Sequence, residues 1–374
     1  MNTFKMVIGG DFIPTADNAD RIAAGDVEGT FGDVAEYFKA ADFSFINVEG
    51  ALTKRGEPIE KEGPNLRGDP SAAALLKKIG VNVCGFSNNH SLDYGKIGLM
   101  DSIDAVTSCG MDYVGAGNNL NEARKVYNFE VNEVKAALIT VAEHEFTIAD
   151  ENRAGANPFD PYDTIEDIER ASKEGRKVIV IYHGGKEVYN MTSPKTRRRL
   201  RKMAEHGADF VFAQHTHCVC CHEEYMGSHI CYGQGNTLFT GFVDHPFWKF
   251  GVLPIITVDD KNEVEYIPFT AQNGKISVAR GIASDEILEP FEERSKLLHD
   301  EEYFMKRWRA FYLSDAEGRL KRLGIITSDG VLRDKTLLRS LSNMMCAEIH
   351  HESITDYLTD RRRSIFGSLA VDGE

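Results

Sequence analysis

The chain has 374 residues, with 43 Lys and Arg against 58 Asp and Glu, a formal net charge of −15 and 42% apolar residues. Length and apolar content allow a large packed core spread over two or three domains, and they exclude disorder and collagen-like repeats. The acidic balance argues against nucleic acid or an anionic membrane surface as partner, since both call for a concentrated positive field.

The opening residues hold only a short apolar run and no basic leader, and nowhere does the chain offer the ~20 consecutive apolar residues of a membrane span. The expectation is a cytoplasmic protein. Seven cysteines at irregular spacings fit a reducing compartment better than a disulfide framework.

Short β-rich runs then alternate with amphipathic stretches to about residue 250, the signature of an α/β fold with a buried sheet. Phe4 to Ile8, Phe43 to Ile46 and Val81 to Phe86 read as strands. Asp69-Pro70 opens a helix over Ala72 to Ile79 that Gly80 ends. Gly95 to Cys109 reads as a helix that buries Ile97, Met100, Ile103 and Val106 on one face. Val126 to Val141 is a hairpin around Asn132-Glu133, and a helix follows over about 164 to 174. Lys177 to His183 is strand-like, Pro194 to His206 a basic helix with a solvated face, and Asp209 to Ala213 another strand. Val252 to Ile267 folds back through Asp259 to Asn262. After about residue 275 the hydrophobic period becomes helical, in Glu286 to Tyr312 and Leu337 to Leu358, so the boundary is drawn between 1–275 and a helical C-terminal extension, 276–374.

Certain polar residues sit where α/β sheets collect ligands, just beyond the carboxyl ends of the strands. Asp11 follows the first strand, Asn47 and Glu49 the second, Ser87-Asn88-Asn89-His90 the third, His183 ends the next, and Gln214-His215-Thr216-His217 follows the last. Imidazole nitrogen, carboxylate oxygen and a neutral amide carbonyl suit Zn, Mn or Fe. The run Cys218, Cys220, Cys221, His222 lacks a standard zinc spacing, and its alternation reads as a buried strand.

Asp11 after Gly10, Asn47-Val48-Glu49, the run Ser87 to Gly95, His183-Gly184-Gly185, Gln214 to His217 and Tyr232 to Asn236 together resemble the bacterial capsule-synthesis CapA family over about residues 4 to 270. Its members, also called poly-γ-glutamate biosynthesis proteins, belong to the calcineurin-like metallophosphoesterase superfamily. The resemblance implies a four-layer α/β/β/α metallophosphatase-like sandwich with one or two divalent ions, Mn, Fe or Zn. By that likeness Asp11 and His217 hold the first ion, Glu49 bridges, and Asn89, His183 and His215 complete the second. His90 would then contact the scissile phosphate or protonate the leaving group. Asn47, Arg67 and Lys186 are candidate substrate contacts, with Lys54 and Arg55 nearby in sequence. Two departures stand out: Ile13 replaces the histidine of the superfamily's Asp-x-His, and Gln214 replaces the glycine before His-x-His.

The function implied is hydrolysis of a phosphoester by a metal-bound hydroxide, linked to capsule or poly-γ-glutamate metabolism. Two other readings stay open. One is amide-bond chemistry with a partner protein, since the chain has no Gly-x-x-x-x-Gly-Lys-Ser/Thr loop of its own. The other is a non-catalytic binding protein with a degenerate metal site. The partners expected are a small phosphate-bearing or glutamyl substrate and, through the helical extension, a second copy in a homo-oligomer.

Overall fold

The computed structural model describes residues 3–241, 244–259 and 261–324. The strands of its two large sheets are, in chain order, β1 (Phe4–Phe12), β2 (Phe43–Val48), β3 (Val83–Gly85), β4 (Asp112–Val114), β5 (Tyr127–Val131), β6 (Val134–Ala142) and β7 (Lys177–His183). They continue with β8 (Phe210–Gln214), β9 (His222–Tyr225), β10 (Ser228–Cys231), β11 (Phe250–Val258), β12 (Glu263–Gln272) and β13 (Lys275–Val278). The helices that matter here are α1 (Ala35–Ala40), α2 (Ala72–Ile79), α3 (Gly95–Ser108), α4 (Asp163–Lys173), α5 (Pro194–Glu205), α6 (Ile282–Leu297) and α7 (Glu301–Arg322).

One sheet runs β13-β12-β11-β1-β2-β3-β4, parallel from β1 to β4 and antiparallel from β1 to β13. The other runs β9-β10-β8-β7-β6-β5, with a parallel centre and an antiparallel strand at each edge. Their facing sides share one core. Phe4, Met6 and Ile8 of β1 and Phe45 of β2 meet Leu138, Ile179, Ile181, Phe210 and Phe212 of the second sheet. Each fully buried Phe or Ile contributes about 1.5–3 kcal/mol through water exclusion, so this layer alone commits the two sheets to each other. On the outside, α1, α2 and α3 bury Phe38, Leu75, Leu76, Ile79, Leu99 and Val106 against the first sheet. Helices α4 and α5 cover the second. The result is the four-layer α/β/β/α sandwich that the family resemblance implies.

Strand β1 passes its expected end at Ile8 because Gly9 and Gly10 let it continue. A Cβ on Gly10 would lie 2.7 Å from the Gly235 carbonyl oxygen, so only glycine lets those two segments cross. The β1–β2 register shifts between Ile8 and Asp11, a bulge that re-aims the Asp11 side chain. The hairpin at Asn132-Glu133 forms as expected, both residues having positive φ (50° and 66°), which suits a two-residue turn.

Helix α3 buries a different face from the one expected. Ile97 is 39% exposed, whereas Gly98, Leu99, Ser102, Ile103 and Val106 are inside. Steps of three residues each fall about 60° short of a full turn, so Ile97 and Val106 end up about 180° apart around the axis. The basic helix α5 also differs from its expected solvated face: Arg199 joins Glu143 and Tyr182, and Arg201 makes a two-point contact with buried Glu223 at 2.8 and 2.6 Å.

The change of hydrophobic period at 275 does not mark a gap in packing. Strand β13 still pairs with β12, and α6 packs on β9 and β12, burying Ile287 and Phe291. By internal contacts the chain divides into Met1–His299 and Asp300–Glu374. In the second unit, α7 begins on Asp300, whose carboxylate accepts from Tyr303 N at 3.0 Å. The helical stretch expected at 337–358 lies outside the described residues. No described helix is long and apolar enough to cross a membrane, and the described cysteines are free thiols.

Candidate metal centre

The strand ends do converge. Asp11 lies on the bulged end of β1, Asn47 on β2 and Glu49 just past it, and Asn89 and His90 in the turn after β3. His183 closes β7, and His215 and His217 follow β8. All of these side chains are buried. Two sets of three donor atoms gather within 4.8 Å of one another: Asp11, Glu49 and His183, and Glu49, His215 and His217.

Glu49 stands in both sets. His183 Nε2 lies 3.3 Å from its Oε1 and 3.0 Å from Asn89 Oδ1, and His217 Nε2 lies 4.0 Å from the same Glu49 oxygen. Two donors bound about 2.1 Å from one ion sit about 3.0–3.4 Å apart, so the Glu49, Asn89 and His183 spacing matches the edges of a coordination shell. Asp11 Oδ2 is 3.7 Å from His217 Nδ1 and accepts from the His215 backbone N at 3.2 Å.

The backbone is bent to achieve this. His215 and His217 have φ of 84° and 54°, a region that side chains other than glycine enter at a cost of about 1–3 kcal/mol each. The two rings are thus turned by a left-handed loop rather than by strand alternation. Gln214, in place of the superfamily's glycine, points its amide across the sandwich to Gly9 O at 3.0 Å. Ile13, where a ligand histidine was expected, packs in the apolar core at 1% exposure. It leaves Asp11, Glu49 and His217 as the donors on that side.

The polar accounting points to a cation. Both Glu49 carboxylate oxygens and His215 Nδ1 are buried without a hydrogen bond. Burial, and then the neighbouring Asp11 carboxylate, push the Glu49 carboxyl well above its ordinary range. Burial also lowers His183 and His215, which favours the neutral imidazoles that donate a lone pair to a metal. Two buried acids beside three imidazoles, with no donor assigned to one acid, are costly unless positive charge joins them. These residues therefore fit a divalent ion.

Residues 5–241 match the family described as bacterial capsule synthesis protein PGA_cap. The chain belongs to this family. The matched PGA_cap stretch contains every residue of the centre. The PGA biosynthesis protein CapA of Bacillus subtilis (strain 168) is 31% identical over 218 residues, 56% of this chain and 56% of that protein. The capsule biosynthesis protein CapA of Bacillus anthracis is 30% identical over 56% of this chain and 53% of its own length. A probable polyglutamine synthesis accessory protein of Mycobacterium tuberculosis is 27% identical over 59% and 62%. The chain thus spans a little over half the length of these curated relatives. Among solved structures, the NAD nucleotidase NadN of Haemophilus influenzae aligns at 10% identity and TM-score 0.46, over 82% of this chain and 60% of that one. A 5'-nucleotidase precursor from Thermus thermophilus aligns at 11% and 0.43, over 77% and 58%.

Within the PGA_cap stretch, not every candidate substrate contact falls at the centre. Asn47 does, but both ends of its amide are engaged: Nδ2 donates to Asp11 Oδ1 at 2.7 Å, and Oδ1 accepts from Asn88 at 3.1 Å. Its place is to hold Asp11 rather than a substrate. Arg67 lies over the Tyr94 ring, 3.7 Å from the centroid, and donates to Gly56 O, away from the ligand set. Lys54 pairs with Asp69 and Arg55 with Asp101. Lys186 stays near, beside Glu187; burial would raise the Glu187 carboxyl, but His215, His217, His90 and Lys186 outweigh it and hold it low. Cys218 and Cys220 donate to the carbonyls of Thr216 and Tyr189 while His222 faces Glu292, so that run gathers no common ion.

Other residues of the centre escape a reading of the sequence. Asn236 Oδ1 accepts from His217 Nδ1 at 2.7 Å, which leaves Nε2 to face the Glu49 carboxylate. Glu143 accepts from Tyr182 OH at 2.6 Å and Gly185 N at 3.0 Å and so fixes the turn after His183. Lys61 is buried against Asp93 at 2.6 Å, and Asp93 in turn touches His90 Nδ1 at 2.6 Å. Asn236 lies in a recognisable motif and could have been paired with a histidine. Lys61 and Glu143 sit in charged loops where nothing separates a buried ion from a solvated one.

Proposed function

We propose that this PGA_cap chain is a metal-dependent hydrolase that cleaves a phosphoester in a small substrate, with one or two divalent ions held by Asp11, Glu49, Asn89, His183, His215 and His217. The observation that carries the reading is Glu49: a carboxylate buried without a hydrogen-bond donor, its oxygens shared between two sets of metal-compatible atoms. Bound divalent ions supply Lewis acidity and a water that ionises near neutral pH. The chain's own residues do the rest. Asn47 and the His215 backbone N–H orient Asp11, Asn236 orients His217, and His90 presents Nε2 for a hydrogen bond or proton to the leaving oxygen.

The test is Glu49→Ala and His217→Ala, with manganese content by elemental analysis and turnover of bis(p-nitrophenyl) phosphate. Both variants should lose bound manganese and fall to background turnover. Wild-type metal content and turnover in both would sink the proposal.

A second reading has the same centre acting on a γ-glutamyl amide. It is favoured by the relatives named for PGA and polyglutamine synthesis. Release of glutamyl fragments from poly-γ-glutamate by the metal-loaded chain, with no phosphoester turnover, would select it over the first.

A further inference from the structure

The ring of His217 is held on more sides than its hydrogen bond to Asn236 accounts for. The Trp248 ring lies 4.7 Å from the imidazole with the two planes 36° apart, and the Phe239 ring stands edge-on to it at 5.7 Å and 88°. Phe239 and Trp248 are in turn 4.7 Å apart at 72°, so the three rings close on one another. Both aromatic residues are buried, at 2% and 8% exposure. Tilted and edge-to-face contacts at these spacings are the ones aromatic pairs prefer.

The support behind the rings is firm. Asn236 and Phe239 belong to one segment, in which Thr237 Oγ1 accepts from Gly10 N at 2.6 Å and the Thr237 and Leu238 N–H groups both donate to Asp11 O. The segment that grips His217 therefore also fixes the strand end that carries Asp11. Trp248 follows on a short 3-10 turn, Pro246–Lys249, which packs on β11 and β12. It lies beyond residue 241, where the PGA_cap match ends.

The strength of the stack depends on what His217 holds. An imidazole that gives its lone pair to a divalent ion takes on part of the ion's charge and behaves as a small cation. An indole face attracts a cation better than any other side-chain ring, and most strongly where water is excluded. The attraction is greater in the ion-bound state than in the empty one, and only such a difference can raise affinity. With Ile13 packed in the core, the Asp11 side of the centre depends on His217.

We propose that Trp248 is a positioning residue: its indole face backs the His217 imidazole and strengthens the hold of that ring on a divalent ion. The proposal rests on the metal-dependent reading of the centre and not on the phosphoester. A tryptophan that merely fills the core would steady the fold without regard to the ion.

The probe is manganese, titrated calorimetrically into the full chain as wild type, Trp248→Phe and Trp248→Leu. Affinity should fall in the order Trp, Phe, Leu, with W248L about 5- to 30-fold weaker than wild type, the span of a cation held on a desolvated indole. A second series keeps the shape of the ring. The chain's other tryptophan, Trp308, is changed to Phe, and Trp248 is replaced biosynthetically by mono-, di- and trifluorotryptophan. Each added fluorine withdraws charge from the indole face and should weaken manganese binding a step further, while unfolding of the metal-free chain stays unchanged. This series also decides the matter if W248L does not fold. Equal affinity in wild type and W248L, or no dependence on fluorine, overturns the proposal, as does a wild-type chain that binds no manganese. A wild-type chain that binds manganese but cleaves no phosphoester removes the hydrolase reading alone.

Discussion

Single atoms decide how the centre is organised. Asn236 gives His217 its tautomer: by accepting from Nδ1 at 2.7 Å it reserves Nε2 for an ion. Partners of this kind typically govern 10- to 100-fold in metal affinity or activity. Asn236→Ala should therefore weaken manganese binding by about that factor in a calorimetric titration, with the fold intact by circular dichroism. Unchanged affinity would mean that the hydrogen bond is incidental. At this scale the sequence was informative about place wherever a residue type stood at or just past the end of a strand: Asp11, Glu49, Asn89, His183, His215 and His217 do gather together. It was silent on Lys61, because the charged run Lys54 to Glu62 reads as solvated until the fold closes over one of its members. For Asn47 it gave the place but not the partners, Asp11 and Asn88, that engage its amide.

Elements were legible by their period and less so by their contacts. Helix α5 carries a basic stripe that suggests solvent, yet Arg201 reaches over β9 to Glu223, whose side chain is fully buried and also accepts from Tyr232 OH at 2.5 Å. Burial would raise the Glu223 carboxyl, but hydrogen bonds from Arg201 and Tyr232 and the charge of Arg201 overcome it and leave it below its ordinary value. A lowered carboxyl contributes its stability fully above the unfolded value of about 4.3, and loses it as pH falls through the lower folded value. Glu223→Gln should cost about 3 kcal/mol in urea unfolding at pH 7. Its deficit against wild type should shrink once pH drops below about 4. A deficit that does not change with pH would show that shape rather than charge fastens the helix. Helix α3 teaches the same lesson from the apolar side. Residues three apart suggest one face, but the drift of the true helical period turns Ile97 outward.

At the scale of the molecule, the order of strands and helices predicted an α/β fold with a buried sheet, because a parallel run of buried strands must be covered on both faces, while the four layers came from the family resemblance. The boundary near 275 was less legible: the texture of the sequence turns helical there, yet β13 and α6 still pack on the sheet that precedes them. Placement of the donors matters more. Asp11, Glu49 and Asn89 belong to the first sheet, and His183, His215 and His217 to the second. An ion bound between them joins the sheets and is lost on unfolding. Saturation at a free concentration 100 times Kd should add about 2.7 kcal/mol to unfolding. Tm should accordingly rise with manganese and fall with a chelator. An identical Tm in both would rule out an ion shared across the layers.

The same division has a bearing on biosynthesis. Three donors lie before residue 90 and three after residue 182, with the last at 217 and its partner at 236. A nascent chain holds only half a cage until most of the family's shared stretch has left the ribosome. A cation held by both halves would arrive late, after the two leaves have closed, or be carried in by the histidines as they dock.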